Sequence, residues 1–143
     1  MMVVVQHLNP EGMHKNPAFS QAVVVEGAAR TIYVGGQNAV AADGTFIGKN
    51  DLAAQTERAF ANLELVLREA GATIHDVVKW TLYVVQGQDL RTGFAAYQRI
   101  WGQRPNPPAI SFSFVAGLAN PDFLVEIDAI AVTGMGGING AGA

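Results

Sequence analysis

The stretch that most constrains this chain is its last long apolar run, Leu124 to Thr133, because two carboxylates interrupt it. A strand with a side-chain period of two places Val125, Ile127, Ala129 and Ala131 on one side. Glu126 and Asp128 then share the other with Leu124, Ile130 and Val132. A strand that apolar must be buried on at least one face. A carboxylate on its second face needs a hydrogen-bond partner or solvent, because desolvating a lone charge is expensive. Just upstream, Ile110 to Ala116 reads as a further strand with Ile110, Phe112 and Phe114 on one face, joined to the last strand through Leu118-Ala119-Asn120-Pro121-Asp122. The sequence thus expects a strand pair here, with an acid on an open face.

The rest of the chain supplies partners for these strands. Met2 to Val5 is a candidate edge strand ahead of the turn residues Asn9-Pro10-Glu11-Gly12. His7 and His14 flank that turn, and no third ligand stands nearby, so no metal site is expected. Ala22 to Glu26 and Arg30 to Gly35 are β-rich and separated by Gly27-Ala28-Ala29, which reads as a hairpin. Gly35-Gly36 at the end of the second run marks a bulge or a close approach. A helix is expected from an N-cap at Asn50 or Asp51 to Ala70, stopped by Gly71, with Leu52, Ala59 or Phe60, Leu63 and Val66 or Leu67 on its apolar stripe. Val77 to Val85 is nearly continuous in apolar character and reads as a central strand buried on both faces. A second helix is capped by Asp89 and stopped by Gly102, with Leu90, Phe94, Tyr97 and Trp101 as its buried stripe. Pro105 to Pro108 give a stiff, extended approach to the next strand.

Six strands and two helices in this order predict an α+β fold with a single mixed six-stranded sheet and both helices on one face. The opposite face then has no cover within the chain, so self-association is expected. Composition points the same way. Half of the 143 residues are hydrophobic and only 15% are charged, a low figure for a surface exposed to water throughout. A net charge of -3 provides no basic footprint for nucleic acid. There is no cysteine, which removes thiol nucleophiles and thiolate metal sites and fits a reducing, cytoplasmic setting. No run approaches a membrane span, and the N-terminal apolar run is too short for a signal peptide. The expected layout is one domain over residues 1–133 and a flexible glycine-rich tail over residues 134–143, with no cofactor.

Several segments resemble one family across roughly Asn16 to Val132. They are Pro17-Ala18-Phe19-Ser20-Gln21-Ala22-Val23, Tyr33-Val34-Gly35-Gly36-Gln37, Gln55 with Asn62-Leu63, Ala70-Gly71-Ala72, Asp76-Val77-Val78-Lys79 and the closing Val125 to Val132. In this order and spacing the chain resembles the RidA/YjgF reactive-intermediate imine deaminases. The resemblance implies a chorismate-mutase-like fold of the YjgF type, with three copies closing into a trimeric barrel and a cleft between subunits. It implies a hydrolase for enamine or imine intermediates, giving a 2-keto acid and ammonia. In such sites an arginine holds the substrate carboxylate, a carboxylate in the last strand orients water, and a tyrosine, a serine and an asparagine line the cleft.

Carried onto this sequence, only the carboxylate is kept, as Glu126. The arginine position holds Ile110, the tyrosine position Phe19, the serine position Gly36 and the asparagine position Phe94. A charged hydrogen bond contributes roughly 1.5–3 kcal/mol, so loss of a two-pronged clamp removes on the order of a hundredfold in binding or rate. The resemblance therefore implies a small, partly apolar metabolite as ligand, with Glu126 as the candidate catalytic residue. Phe19, Gly36, Gln37, Phe94 and Ile110 are the candidate binding residues, and Arg104 is a candidate substitute anion clamp. The alternative is a working deaminase with a different clamp. A ribonuclease or translation inhibitor, also described for this family, is disfavoured by the acidic balance.

Overall fold

The computed structural model describes residues 3–134. Its elements are β1 (Val4–Leu8), β2 (Ala22–Glu26), β3 (Ala29–Gln37), α1 (Leu52–Glu69), β4 (Val77–Val85), α2 (Leu90–Trp101), β5 (Ala109–Val115) and β6 (Val125–Gly134), with a short 3-10 turn at Ile74–Asp76 before β4. All six strands and both helices of the sequence reading are present. The first strand lies later than expected, and the glycine-rich tail after Gly134 falls outside the described residues, as does Met2.

Four strands form a mixed sheet in the order β3-β6-β4-β5, antiparallel except for β4 and β5, which run parallel. β1 and β2 form a separate antiparallel ribbon. One parallel bridge, Ser20 to Ala109, joins the ribbon to the start of β5. In place of one continuous six-stranded sheet, the strands form a four-stranded mixed sheet and a two-stranded ribbon linked by that bridge.

Two pairings differ from the local reading. Gly27-Ala28-Ala29 does not close a hairpin. β2 pairs instead with β1, from Val4 opposite Glu26 to Leu8 opposite Ala22, while β3 pairs with β6. Nor are β5 and β6 neighbours, because β4 lies between them. The strand-helix-strand passage through α2 returns the chain parallel to β4, as a crossover connection does.

Both helices lie on the face that carries Trp80, Val125, Ile127, Ala129 and Ala131. α1 begins at its N-cap Asp51, whose carboxylate accepts from the Ala54 N–H at 3.0 Å. It presents Ala59, Phe60, Leu63 and Leu67 to the sheet, all fully buried. Val66, the alternative to Leu67 on the stripe, is exposed. α2 is capped by Asp89 and ends at Gly102, whose φ of 67° suits glycine. Only the C-terminal part of its expected stripe is buried: Tyr97 and Trp101 pack in the core, whereas Leu90 and Phe94 are exposed. β4 is likewise buried on one face only. Val77, Trp80 and Val84 are buried, and Lys79, Thr81 and Tyr83 on the other side are half-exposed.

Tyr97 carries a consequence for stability. Burial pushes its phenol up to about 12, with a smaller opposing effect from the nearby Trp80 indole. The indole N–H nonetheless meets no partner at hydrogen-bonding geometry. The phenol is raised relative to the unfolded chain, so its contribution is complete below about pH 10 and is lost as pH rises to about 12. Urea titrations across that window are expected to show wild type losing on the order of 2 kcal/mol more than Tyr97→Phe. Equal losses in the two proteins would contradict this.

Candidate functional site

A cavity of about 450 Å³ opens on the helix side of the sheet, beside the N-terminal half of α2. Its floor is hydrocarbon from three strands: Leu82 and Val84 of β4, Ile110 and Phe112 of β5, and Val125 of β6. The parallel register aligns Trp80 with Ile110 and Leu82 with Phe112, so these side chains share one face. Phe19 closes one wall, with its ring 5.9 Å from that of His14. Leu90 and Phe94 of α2 close another, which explains why half of an apolar stripe is exposed: it faces a cavity and not the core.

Phe19, Phe94 and Ile110, inferred from the sequence as binding residues, are thus brought together in this one cavity. Arg104 is not among its lining residues. It lies in an adjoining groove that shares Ala18, Phe94 and Tyr97. Its guanidinium is 5.7 Å from the centre of the Trp101 ring, and Nη1 donates to the Ile100 carbonyl at 3.2 Å. The Trp101 indole N–H donates to the Arg104 carbonyl at 3.0 Å. Arg104 is committed to the C-terminal turn of α2, and a swing of its side chain into the cavity has to break the guanidinium contacts to Trp101 and the Ile100 carbonyl.

Glu126 and Gly36 are together elsewhere. β6 alternates faces, so Val125 enters the cavity while Glu126 projects from the opposite, open side, beside its cross-strand partner Tyr83. The β3–β6 register slips across Gly35-Gly36: Val34 pairs with Ala129 but Gln37 with Ile127. A Cβ on Gly36 would lie only 2.4 Å from Glu126 Oε2 and 2.9 Å from its Cγ, so glycine is what admits this carboxylate against β3. At Gly35 the same atom would meet open space. Gln37 turns back on the bulge, donating to the Gly35 carbonyl at 3.0 Å.

Asn38 and Asn62 complete this half. Asn38 Nδ2 donates to the Val125 carbonyl at 3.1 Å and to Glu126 Oε1 at 3.4 Å. Asn62, on α1, donates to the carbonyls of Asn38 and Val40, both at 2.9 Å, and fixes the loop that carries Asn38. The sequence signalled Asn62 as part of a motif but not its link to Glu126, which depends on a contact between residues far apart in the chain.

The two histidines that flank the first turn have separate partners, His14 against Phe19 and His7 against the approach to β5. His7 Nδ1 lies 3.1 Å from Ser20 Oγ and 3.0 Å from the Pro107 carbonyl, tying β1 to the approach to β5. Among the described residues, no group of three or more histidines and carboxylates is placed to hold a metal. No helix there is long and apolar enough to cross a membrane.

A mixed sheet backed by two helices, with a hydrocarbon cavity on the helix side and a hydrogen-bonded carboxylate on the bare side, defines a helix-backed α+β domain of the Rid type. The chain belongs to the family described as Endoribonuclease L-PSP, whose sequence profile matches residues 13–133. It is 39% identical to a crystal structure of the Rid family protein YyfB from Yersinia pestis, with a TM-score of 0.81 over 90% of this chain and 98% of that one. A RutC family protein from Pyrococcus abyssi is 33% identical over 114 residues, 79% of this chain and 84% of the relative. A rat protein named 2-iminobutanoate/2-iminopropanoate deaminase is 34% identical over 117 residues, 82% of this chain and 81% of its own.

Proposed function

We propose that this chain forms a homotrimer whose intersubunit pocket binds a small, partly apolar metabolite, and that it is not a standard 2-iminopropanoate deaminase. The observation that carries this reading is Ile110. It occupies the position that the family resemblance gives to the carboxylate-holding arginine, and its neighbours Phe19 and Phe94 make that end of the cavity hydrocarbon. A guanidinium fork matches a planar carboxylate, and a sec-butyl side chain offers nothing in its place. The need for a second copy is supported by the bare sheet face, where Tyr33 is 77% exposed and Glu126, Asp128 and Ile130 have no helix over them. Within one protomer the cavity and Glu126 lie on opposite sides of the sheet. A neighbouring copy is what brings one protomer's carboxylate to another's cavity.

The second reading is a working deaminase in which Glu126 orients water. It is favoured by the retained carboxylate, its fixed geometry beside Gly36 and Asn38, and the named activity of the rat relative. An RNA-cleaving role draws on the family description alone; the net charge of -3 is a poor match to a polyanion.

One assay separates the readings. Purified protein is given freshly generated 2-iminopropanoate, and ammonia release is followed. Wild type is expected to give no acceleration, and Ile110→Arg a measurable gain. Turnover by wild type that disappears in Glu126→Ala would establish the deaminase reading instead. Sedimentation equilibrium is expected to give three copies per particle, and a monomer would remove the basis for an intersubunit pocket.

A further inference from the structure

The polar atoms around the cavity are mostly turned away from it. The Tyr97 hydroxyl donates to the Ala18 carbonyl at 3.2 Å, and the Thr56 hydroxyl donates to the Leu52 carbonyl at 2.8 Å. Asn16 Oδ1 accepts from the Ala18 N–H at 2.8 Å. What one protomer offers a ligand at the inner end is hydrocarbon. Among the described lining residues one side chain is charged, Arg91, in the first turn of α2. It stands at the rim with its side chain 91% exposed. Its Nε and Nη2 each lie 3.2 Å from an Asp89 carboxylate oxygen, which fixes the guanidinium, and the Nη1 hydrogens have no partner among the described residues.

We infer that the cavity takes a monoanionic ligand with a hydrocarbon body, seated with its apolar end against Ile110 and its acid at the rim on Arg91. This rests on the reading of the cavity as a ligand site and adds an orientation to it. An arginine at position 110 would draw the acid inward, whereas here the inner end repels it and the outer end supplies the cation. The size agrees: about 450 Å³ suits an aryl or branched acyl group, larger than a three-carbon keto acid needs. Asp89 competes for the same guanidinium and sets a ceiling on the affinity of the acid.

The test compares three probes of one shape and different charge, phenylbutanoate, phenylbutanol and phenylbutylamine, by calorimetric titration of the intact protein. Phenylbutanoate is expected to bind about five- to tenfold tighter than the alcohol at low salt, with the gap narrowing as ionic strength rises. Arg91→Gln should remove the gap by weakening the acid several-fold, with a smaller loss for the alcohol. Asp89→Asn keeps a competent helix cap while releasing Arg91, and should widen the gap. Ile110→Trp fills the inner end and should weaken acid and alcohol by similar factors. Equal binding of acid and alcohol by wild type, or an amine bound as tightly as the acid, overturns the assignment of Arg91 and leaves the cavity a ligand site. Failure of all three probes to bind overturns both.

Discussion

Replacing Trp80 by alanine is expected to cost about 4 kcal/mol, enough to consume much of the roughly 5–15 kcal/mol by which a domain of this size holds together. Trp80 is fully buried at the middle of the sheet's covered face. Its ring centre lies 5.2 Å from Phe60 of α1, 5.8 Å from Tyr97 and 5.8 Å from Trp101 of α2, at interplanar angles between 77° and 87°. Edge-to-face contacts of this kind add to the area buried, and one side chain here joins both helices to β4. Its indole N–H has no hydrogen-bond partner, so the loss comes from packing and cavity formation and not from an orphaned acceptor. Urea unfolding should show a lower midpoint with an unchanged slope. A loss below about 1 kcal/mol would mean that the helices are held to the sheet by something other than this cluster.

The second large effect is expected at Gln55, a polar side chain with no solvent exposure. Its Nε2 donates to the carbonyls of Gly48 and Asp122 at 2.9 and 3.1 Å, and its Oε1 accepts from the Leu124 N–H at 2.8 Å. One amide thus satisfies three backbone groups of two loops that are far apart in the chain. Gln55→Ala leaves all three without it and opens a void, for an expected cost of about 3 kcal/mol. Gln55→Glu should do no better, because a carboxylate still accepts from Leu124 but cannot donate to two carbonyls. Hydrogen exchange gives a local readout: the Leu124 amide should exchange markedly faster in Gln55→Ala, which removes its acceptor, than in Gln55→Glu, which keeps one. Because Leu124 leads into Val125 and Glu126, the damage is expected to reach the carboxylate half of the site. An unchanged Leu124 exchange rate would rule out that route.

The elements were legible in the sequence wherever a local signal specifies them. Asp51 (one of two candidate caps) and Asp89 as caps, Gly71 and Gly102 as stops and the β-rich run Val77 to Val85 set six boundaries within a residue or so of those observed. The alternation of Val125, Ile127, Ala129 and Ala131 against Glu126 and Asp128 correctly assigned the two faces of β6. Pairing was less legible. Gly27 has the positive φ of a turn residue, 95°, yet the turn it makes separates two strands that bond to different partners. Turn chemistry says where the chain bends, and register with a distant strand decides what pairs. The strand-helix-strand pattern through α2 carries the parallel return of β5 onto β4, which places β4 between β5 and β6.

At the site, resemblance and apolar character led to Phe19, Phe94 and Ile110, which do meet. Arg91 and Asn38 carry no such signal, because nothing local distinguishes an arginine at a cavity rim or an asparagine beside a glutamate from its solvent-exposed counterparts. At Gly36 the bulge is present, and what comes close is the Glu126 side chain, not a backbone.

The strand order has a bearing on biosynthesis. β6 follows every other strand in the chain yet lies between β3 and β4, which have no direct ladder to each other. As the polypeptide leaves the ribosome, the first five strands can form only the β1–β2 ribbon and the β4–α2–β5 unit. Two unsatisfied edges wait, with the acid-bearing segment still in the exit tunnel. The nascent chain closes its sheet only when that segment emerges, and until then those edges are open to other chains and to chaperones.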